Sequence, residues 1–219
     1  MQIKKFWKLY PPSNRCGVVN KRVKVDLKTR KILQKFGKEY FDGKRDHGYG
    51  GYYYNKKYFY KIAKELVKHY NLDNNSKILD IGCAKGFLMH DLKNLLPKAT
   101  IYGIDISTYC KKNAMVDQKK YIKVACSSKL PFKNNYFDLV ISISTIHNLN
   151  KAGIIKSLKE IVRVKKKNSF IRVKGYKNLQ EKKFIDNWNV VAKSNLSVLE
   201  WKKLFKYTNY DGDFDFSNF

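Results

Sequence analysis

Residues 77–87, KILDIGCAKGF, decide the fold of this chain. The first five residues are a short run dominated by aliphatic side chains, which is typical of a buried strand. Gly82 permits a sharp turn directly after that strand, and Gly86 lets a helix begin close to the turn. A strand, a glycine-containing turn and a helix in this order form the first unit of an alternating α/β fold.

The alternation continues on both sides of this stretch. Strands are predicted at 77–82, 99–105, 121–125, 137–144 and 169–173, and helices at 58–70, 87–96, 108–118 and 151–164. The run FDLVISIS is apolar on both faces, as expected for a central parallel strand. The order predicts a doubly wound, mostly parallel α/β sheet, which binds ligands beyond the carboxyl ends of its strands.

The rest of the chain predicts one compact unit with an N-terminal cover. Residues 57–219 contain no repeat and no flexible linker, and they end with two further helices and a short aromatic tail. One of these helices begins with the capping-box pattern of Ser197 and Glu200. Residues 1–56 are irregular, aromatic and basic, and we expect them to cover the ligand-binding edge of the sheet.

Charge alone gives little information about the partner. The chain has 46 Lys and Arg against 18 Asp and Glu, a net charge of +28. The excess is lysine, as expected from an AT-rich coding sequence, whereas arginine, which phosphate and base recognition favours, is scarce. A nucleic-acid partner is therefore less favoured than a small-molecule substrate, and the oligomeric state stays open.

The cysteines and the apolar runs exclude other classes of protein. The four cysteines, at 16, 83, 110 and 126, form no C-x-x-C pair and lack metal-ligand spacing, so no metal is expected. Scattered single cysteines fit a reducing compartment. Because no apolar run reaches the roughly 18 residues of a spanning helix and no signal peptide is evident, we expect a cytoplasmic protein.

Candidate ligand-binding residues follow the predicted strands. Asp80 and Gly82 end the first strand, and Asp105 ends the second, where its carboxylate can accept hydrogen bonds from a ribose diol. The spacing G-x-x-x-G lacks the G-x-G-x-x-G of a dinucleotide site. The structural alternative is that the glycines only form turns and that Asp105 is a helix N-cap.

Four segments together resemble a known family. LDIGCAKGF, GIDIS, LPFKNNYFDLVISIS and LKEIVRV, in this order within residues 57–175, resemble class I S-adenosylmethionine-dependent methyltransferases. The resemblance implies a Rossmann-like fold, methyl transfer, S-adenosylmethionine as cofactor and S-adenosylhomocysteine as product. The cofactor residues that it implies are Asp80, Gly82, Cys83, Ala84, Gly86, Asp105, Ile106, Cys126, Ser127 and Ser144.

The chain departs from the family pattern at four places. Ala84 replaces a frequent glycine, and Cys126 replaces a frequent aspartate that binds the adenine amino group, a contact for which a backbone group of Ser127 is an alternative. Residues 166–168, KKN, replace the usual Pro-Gly turn before the fifth strand. Only Asp213–Phe216 remains for the antiparallel hairpin with which the family usually ends, so we expect an abbreviated sheet.

The segment after the fourth strand, STIHN at 144–148, is the predicted catalytic segment. His147 is the candidate general base, because its unperturbed pKa of about 6.5 suits proton transfer at neutral pH. Asn148 is expected to orient the acceptor. The alternatives are that His147 caps the following helix or packs under the loop.

Residues 40–54 are the predicted substrate-covering segment, which Gly48, Gly50 and Gly51 would make pliable. Its candidate substrate-binding residues, together with one residue at the exit of the fifth strand, are Arg45, His47, Tyr49, Tyr52 and Arg172. An arginine such as Arg45 can pair with a carboxylate or phosphate. The alternative is a tyrosine-rich surface loop or interface.

Three further segments resemble a methyltransferase subgroup associated with surface polysaccharide biosynthesis: GYGGY, IHNL and the tail that begins WKKLF. This resemblance implies a sugar or sugar-phosphate acceptor. Two alternatives stay open, an RNA methyltransferase, for which stacking aromatics beside a basic groove would be suited, and a non-catalytic cofactor-binding partner subunit.

Overall fold

The computed structural model describes residues 1–11, 22, 25–49 and 52–217. Its centre is a six-stranded sheet in the order β3-β2-β1-β4-β5-β6, in which every neighbouring pair is parallel. The strands are β1 (Lys77–Ile81), β2 (Thr100–Asp105), β3 (Ile122–Val124), β4 (Phe137–Ile143), β5 (Lys165–Val173) and β6 (Asp213–Phe216). The predicted doubly wound parallel sheet is confirmed. The strand order reverses between β1 and β4, which places a crevice at their carboxyl ends.

The helices fill the connections between the strands. They are α1 (Leu27–Leu33), α2 (Lys38–Phe41), α3 (Lys56–His69), α4 (Phe87–Leu95), α5 (Thr108–Lys112), α6 (Lys151–Val164), α7 (Leu179–Trp188) and α8 (Val198–Tyr207). Short 3-10 turns occur at Phe6–Leu9, Lys119–Tyr121 and Ile146–Asn148. No helix in the described part of the chain is long and apolar enough to cross a membrane.

Two predicted boundaries differ by several residues from those in the structure. The helix predicted at 108–118 ends at Lys112, because the N–H of Met115 donates to the carbonyl of Lys85 in another loop instead of continuing the helix. The strand predicted at 169–173 already begins at Lys165, because residues 166–168 continue α6 directly into extended backbone. The lost Pro-Gly turn is therefore replaced by a longer strand.

The central strands separate two apolar cores. Ile78 and Leu79 of β1 are both fully buried, but they belong to different cores on opposite faces of the sheet. The core around Ile78 includes α3 and α4, and the core around Leu79 includes α6 and α8. Burial on both faces explains why most side chains of the central strands are apolar.

The edge of the sheet is short, as the sequence predicts. β6 pairs with β5 in parallel, and Ile3 forms a parallel bridge with Phe214 on its outer side. The N–H of Lys4 donates to the carbonyl of Phe214 at 2.9 Å. Among the described residues, this bridge lies on the outer side of β6, where the expected antiparallel hairpin would pair with the sheet. The N-terminal residues therefore cover this edge of the sheet.

The N-terminus of helix α8 provides a test of the predicted capping box. Ser197 accepts a hydrogen bond from the N–H of Glu200, and the Glu200 carboxylate accepts one from the N–H of Ser197, which confirms the predicted capping box. We expect Ser197→Ala to lower the free energy of unfolding by about 0.5–2 kcal/mol. Urea denaturation measures this loss.

The control is Lys202→Ala, which changes an exposed side chain of the same helix. This variant is expected to stay within about 0.5 kcal/mol of the parent protein. An equal loss in both variants would show that the cap does not stabilise α8.

Candidate active site

A cavity of about 870 Å³ opens at the carboxyl ends of the central strands. The predicted site residues that line it are Asp80, Gly82, Cys83, Ala84, Asp105, Ile106, Cys126, Ser127, Ser144, His147, Asn148, Arg45, Tyr49, Tyr52 and Arg172. Gly86 and His47 do not line the cavity, and Gly50 and Gly51 lie outside the described residues. The fold thus brings most of the predicted residues to one place.

The loop after β1 requires its glycines for two reasons. Gly82 has φ of +77°, and a Cβ atom on it would lie 2.0 Å from Oγ1 of Thr145, so no larger residue fits. Gly86 has φ of +80° and directly precedes α4. Ala84 adopts φ of +49°, which shows that its methyl group is tolerated in the left-handed region.

Asp105 is held in the cavity wall by two backbone groups. It is 8% exposed, and its carboxylate accepts hydrogen bonds from the N–H of Ala84 at 2.9 Å and from the N–H of Ser107 at 2.8 Å. The N-cap of α5 is Ser107, whose hydroxyl accepts the N–H of Cys110. The alternative that Asp105 is the helix N-cap is therefore wrong.

Asp80 is a second buried acid at the same end of the cavity. Burial, with a smaller contribution from the nearby Asp105 carboxylate, raises the pKa of Asp80 to about 7. Two buried carboxylates beside a glycine loop favour a ligand that carries both a diol and a cation. S-adenosylmethionine fits these residues, because Asp105 can accept from its ribose hydroxyls and Asp80 can pair with its ammonium group.

The polar side chains of the wall after β3 bond within the protein. The Ser127 hydroxyl is hydrogen-bonded to the Ser157 hydroxyl of α6 at 2.8 Å, and Sγ of Cys126 lies 3.0 Å from the Ser128 hydroxyl. Ile106 is 56% exposed although it lines the cavity, so it presents apolar surface there. Ile106 is suited to contact a flat base.

His147 is a further buried titratable group that lines the cavity. It is 4% exposed, and its Nδ1 has no hydrogen-bond partner among the described residues. Burial, then the positive charges of Lys174 and Arg172, lower the pKa of His147 well below 6.5. The imidazole is therefore neutral at pH 7.

Two observations limit the alternatives for residues 147 and 148. The N-cap of α6 is Asn150, which accepts the N–H of Gly153, so the alternative that His147 caps this helix is wrong. Oδ1 of Asn148 accepts a hydrogen bond from Nδ2 of Asn189 at 3.0 Å. Asn148 thus holds the segment after α7 against the cavity, and its contact with an acceptor stays a prediction.

The substrate-covering segment is fastened to the cofactor loop by an ion pair that sequence reasoning missed. Nζ of Lys85 lies 2.6 Å from Oδ1 of Asp42 and donates to the carbonyl of Tyr52 at 2.7 Å. The Tyr109 hydroxyl donates to the same Asp42 carboxylate at 2.7 Å. No sequence signal identified this pair, because the partners are 43 positions apart and of common types.

Within this segment the predicted roles of two residues change. A Cβ atom on Gly48 would lie 1.9 Å from the carbonyl oxygen of Tyr40, so Gly48 serves a close backbone contact as well as any hinge. The Arg45 guanidinium donates to the carbonyl of Tyr49 at 2.6 Å, within its own segment. Its contact with a substrate stays a prediction.

Comparisons with known proteins agree with this geometry. Residues 79–173 match the family described as "Methyltransferase domain". This part of the chain is therefore similar to class I methyltransferase domains. The methyl donor of the family is S-adenosylmethionine, so the expected enzyme class and cofactor are confirmed for the domain.

Individual relatives match only part of their own length. The uncharacterized protein MJ1252 of Methanocaldococcus jannaschii is 34% identical over 59% of this chain and 47% of its own. The malonyl-[acyl-carrier protein] O-methyltransferase of Legionella pneumophila is 36% identical over 36% of this chain and 29% of its own. The chain therefore spans less than half the length of these relatives.

A solved structure shows the same fold. The phosphoethanolamine N-methyltransferase 2 of Haemonchus contortus, in complex with phosphomonomethylethanolamine and S-adenosylhomocysteine, superposes with a TM-score of 0.54 at 18% identity. The superposition covers 67% of this chain and 36% of that chain. At this identity it supports the fold of the methyltransferase domain.

Asp80 gives the site a pH dependence that can be measured. With a pKa of about 7, its carboxylate is mostly protonated at pH 6 and mostly ionised at pH 7.5. Because only the ionised form pairs with an ammonium group, we expect the affinity for S-adenosylhomocysteine to rise about fivefold to tenfold over this interval. Isothermal titration calorimetry at both pH values measures the change.

Asp80→Asn is expected to bind more weakly at pH 7.5 and to lose this dependence. Asp117→Asn, which removes an exposed carboxylate outside the cavity, should keep it. A rise that persists in Asp80→Asn would assign the titration to another group.

Proposed function

We propose that this protein transfers a methyl group from S-adenosylmethionine to a small polar acceptor, with sugars and sugar phosphates as the first candidates. The observation that carries the proposal is that one cavity is lined both by the cofactor acids, Asp80 and Asp105, and by the neutral imidazole of His147. The sugar part rests on the resemblance to the polysaccharide-associated subgroup. The O-methyltransferase among the relatives agrees with an oxygen nucleophile.

Methyl transfer is an in-line displacement, for which alignment and exclusion of water matter most. When bound, the cofactor supplies an electrophilic methyl group on a cationic sulfur. Asp105 would fix the ribose end, and Asp80 would hold the amino-acid end by charge. His147, whose lowered pKa keeps it unprotonated, would accept the proton of an acceptor hydroxyl as the new bond forms.

The substrate-covering segment, residues 40–54, would exclude water from this reaction together with Phe36, which lies just before it. Its Asp42 carboxylate pairs with Lys85 of the cofactor loop, and the carbonyl of Phe36 accepts the Ser107 hydroxyl at 2.6 Å. These contacts bring the segment to the same loops that hold Asp105. We therefore infer that cofactor binding and closure of the segment support each other.

Cofactor binding through Asp105 is the first test. Two charged-acceptor hydrogen bonds to a diol are worth about 1.5–3 kcal/mol each, so Asp105→Ala is expected to weaken S-adenosylhomocysteine binding at least tenfold. Calorimetry measures the dissociation constant, and circular dichroism verifies that the variant is folded.

Asp117→Ala is the matched control, because it removes a carboxylate that does not line the cavity. It should bind like the parent protein. Unchanged binding in the folded Asp105→Ala protein would refute the proposed cofactor site and with it the enzymatic function.

The role of His147 as general base is tested separately from cofactor binding. His147→Ala is expected to lower turnover with a hydroxyl acceptor at least about 100-fold while S-adenosylhomocysteine affinity stays unchanged. At saturating S-adenosylmethionine, where protonation of Asp80 no longer limits binding, kcat/KM for the acceptor should stay constant in the parent protein as pH falls from 7.5 to 6.5, because the lowered pKa keeps His147 neutral. Release of S-adenosylhomocysteine from a panel of sugars, sugar phosphates and RNA measures turnover.

The same panel separates the alternatives. Turnover with RNA alone would favour an RNA methyltransferase, and turnover with any acceptor would exclude a non-catalytic partner subunit. Near-normal turnover of His147→Ala would remove this residue from the mechanism.

A further inference from the structure

The tyrosines of the substrate-covering segment differ in what their hydroxyl groups contact. The Tyr52 hydroxyl donates to the carbonyl of Gly43 at 2.7 Å, and the Tyr54 hydroxyl donates to Oδ1 of Asp91. The Tyr49 hydroxyl has no hydrogen-bond partner among the described residues, although Tyr49 lines the cavity. Because a desolvated phenol normally has a partner, this free hydroxyl indicates a contact with a ligand.

The backbone and the ring of Tyr49 are both held in place. Its N–H donates to the carbonyl of Tyr40 at 2.8 Å, and its carbonyl accepts a hydrogen bond from the Arg45 guanidinium at 2.6 Å. The ring packs edge-on against Phe41, with 5.9 Å between the ring centres. These contacts fix the free hydroxyl at the cavity wall, as a binding group requires.

The Tyr49 phenol lies within the electrostatic reach of Asp80. Tyr49 is 37% exposed, but its phenol is desolvated, so its accessible surface opens into the cavity. This burial raises the pKa of the phenol, and the smaller contributions to the rise include the charge of the Asp80 carboxylate. Asp80 is 4% exposed, and its carboxylate forms no hydrogen bond or ion pair with the described residues. A free donor and a free acceptor that act on each other without bonding leave space for a ligand between them.

The loop after β1 offers few donors of its own to a ligand at this end of the cavity. The N–H groups of Gly82, Cys83 and Ala84 all donate within the protein. The Lys85 ammonium group is bound by the Asp42 carboxylate. Among the described residues, the donors that remain nearby include the first N–H groups of α4 and the Tyr49 hydroxyl.

Resting on the methyl transfer proposed above, we propose that the Tyr49 hydroxyl binds the carboxylate of the cofactor's amino-acid part, beside the ammonium group that Asp80 holds. Both charged groups are attached to one carbon atom, so a free donor and a free acid in the same space match them together. This proposal assigns Tyr49 to the cofactor, whereas the sequence predicted that it binds the acceptor. Cofactor affinity would therefore depend on the substrate-covering segment as well as on the loop after β1.

The test compares three ligands that differ in the amino-acid part. S-adenosylhomocysteine carries both charged groups, its decarboxylated analogue keeps only the ammonium group, and 5′-methylthioadenosine has neither. Isothermal titration calorimetry with the full chain at pH 7.5 measures the three dissociation constants. We expect Tyr49→Phe to raise the dissociation constant of S-adenosylhomocysteine at least about tenfold, as loss of a hydrogen bond to a charged acceptor predicts, and to leave those of the other two within about twofold.

Two further variants give the contrast. Asp80→Asn should weaken both S-adenosylhomocysteine and its decarboxylated analogue, because both carry the ammonium group, and should leave 5′-methylthioadenosine unchanged. Tyr207→Phe removes the same hydroxyl from an exposed position at the end of α8 and should bind all three ligands like the parent protein.

Thermal unfolding without ligand shows whether the Tyr49 hydroxyl is structural. Tyr49→Phe is expected to unfold within about 1 °C of the parent protein, because the lost hydroxyl has no partner among the described residues. Tyr54→Phe, which loses the hydrogen bond to Asp91, is expected to unfold several degrees lower.

Unchanged affinity of Tyr49→Phe for S-adenosylhomocysteine would overturn the proposal, as would an equal loss of affinity for S-adenosylhomocysteine and its decarboxylated analogue. Failure of the proposed function has a different signature. The parent protein would then bind none of the three ligands, or Asp105→Ala would bind them like the parent. Binding that depends on Asp105 but not on Tyr49 would contradict the role of Tyr49 and leave the proposed function intact.

Discussion

The hydrogen bonds that Asp105 accepts hold the centre of the molecule together. They join the loop after β1, through Ala84, to the start of α5, through Ser107. The loop has three residues with positive φ and no regular structure of its own, so it needs contacts from outside to keep one shape. Because Asp105 is buried, water does not compete for these bonds.

The same loop is held from its other side by the N-terminal segment. Lys85 is 4% exposed and pairs with Asp42, whose carboxylate also accepts the Tyr109 hydroxyl. A buried ion pair adds little net stability, but it specifies which segments meet. The cavity wall is thus assembled from three parts of the chain that are distant in sequence.

Charge separation inside the cavity connects this architecture to chemistry. Burial raises the pKa of Asp80 to about 7, and burial and nearby cations lower the pKa of His147 well below 6.5. The acids suit a cationic methyl donor, and the neutral imidazole of His147 lines the same cavity. A single cavity that holds both would bring the donor and the acceptor into line for transfer.

The sequence by itself determined the order of strands and helices, the glycine turn after β1 and the acid that ends β2. These features depend on apolar periodicity and on backbone conformations that are local in sequence, so they can be recognised without the fold. It also predicted that His147 follows β4, since every strand of a parallel sheet ends at the same edge.

The sequence predicted the end of α5 and the start of β5 incorrectly, because a hydrogen bond from Met115 to Lys85 and the direct passage of α6 into β5 depend on neighbouring elements. Only the tertiary structure decided that Lys85 pairs with Asp42 and that Asp80 and His147 are buried. These contacts join residues separated by tens of positions, and desolvation and charge proximity exist only after the chain has folded.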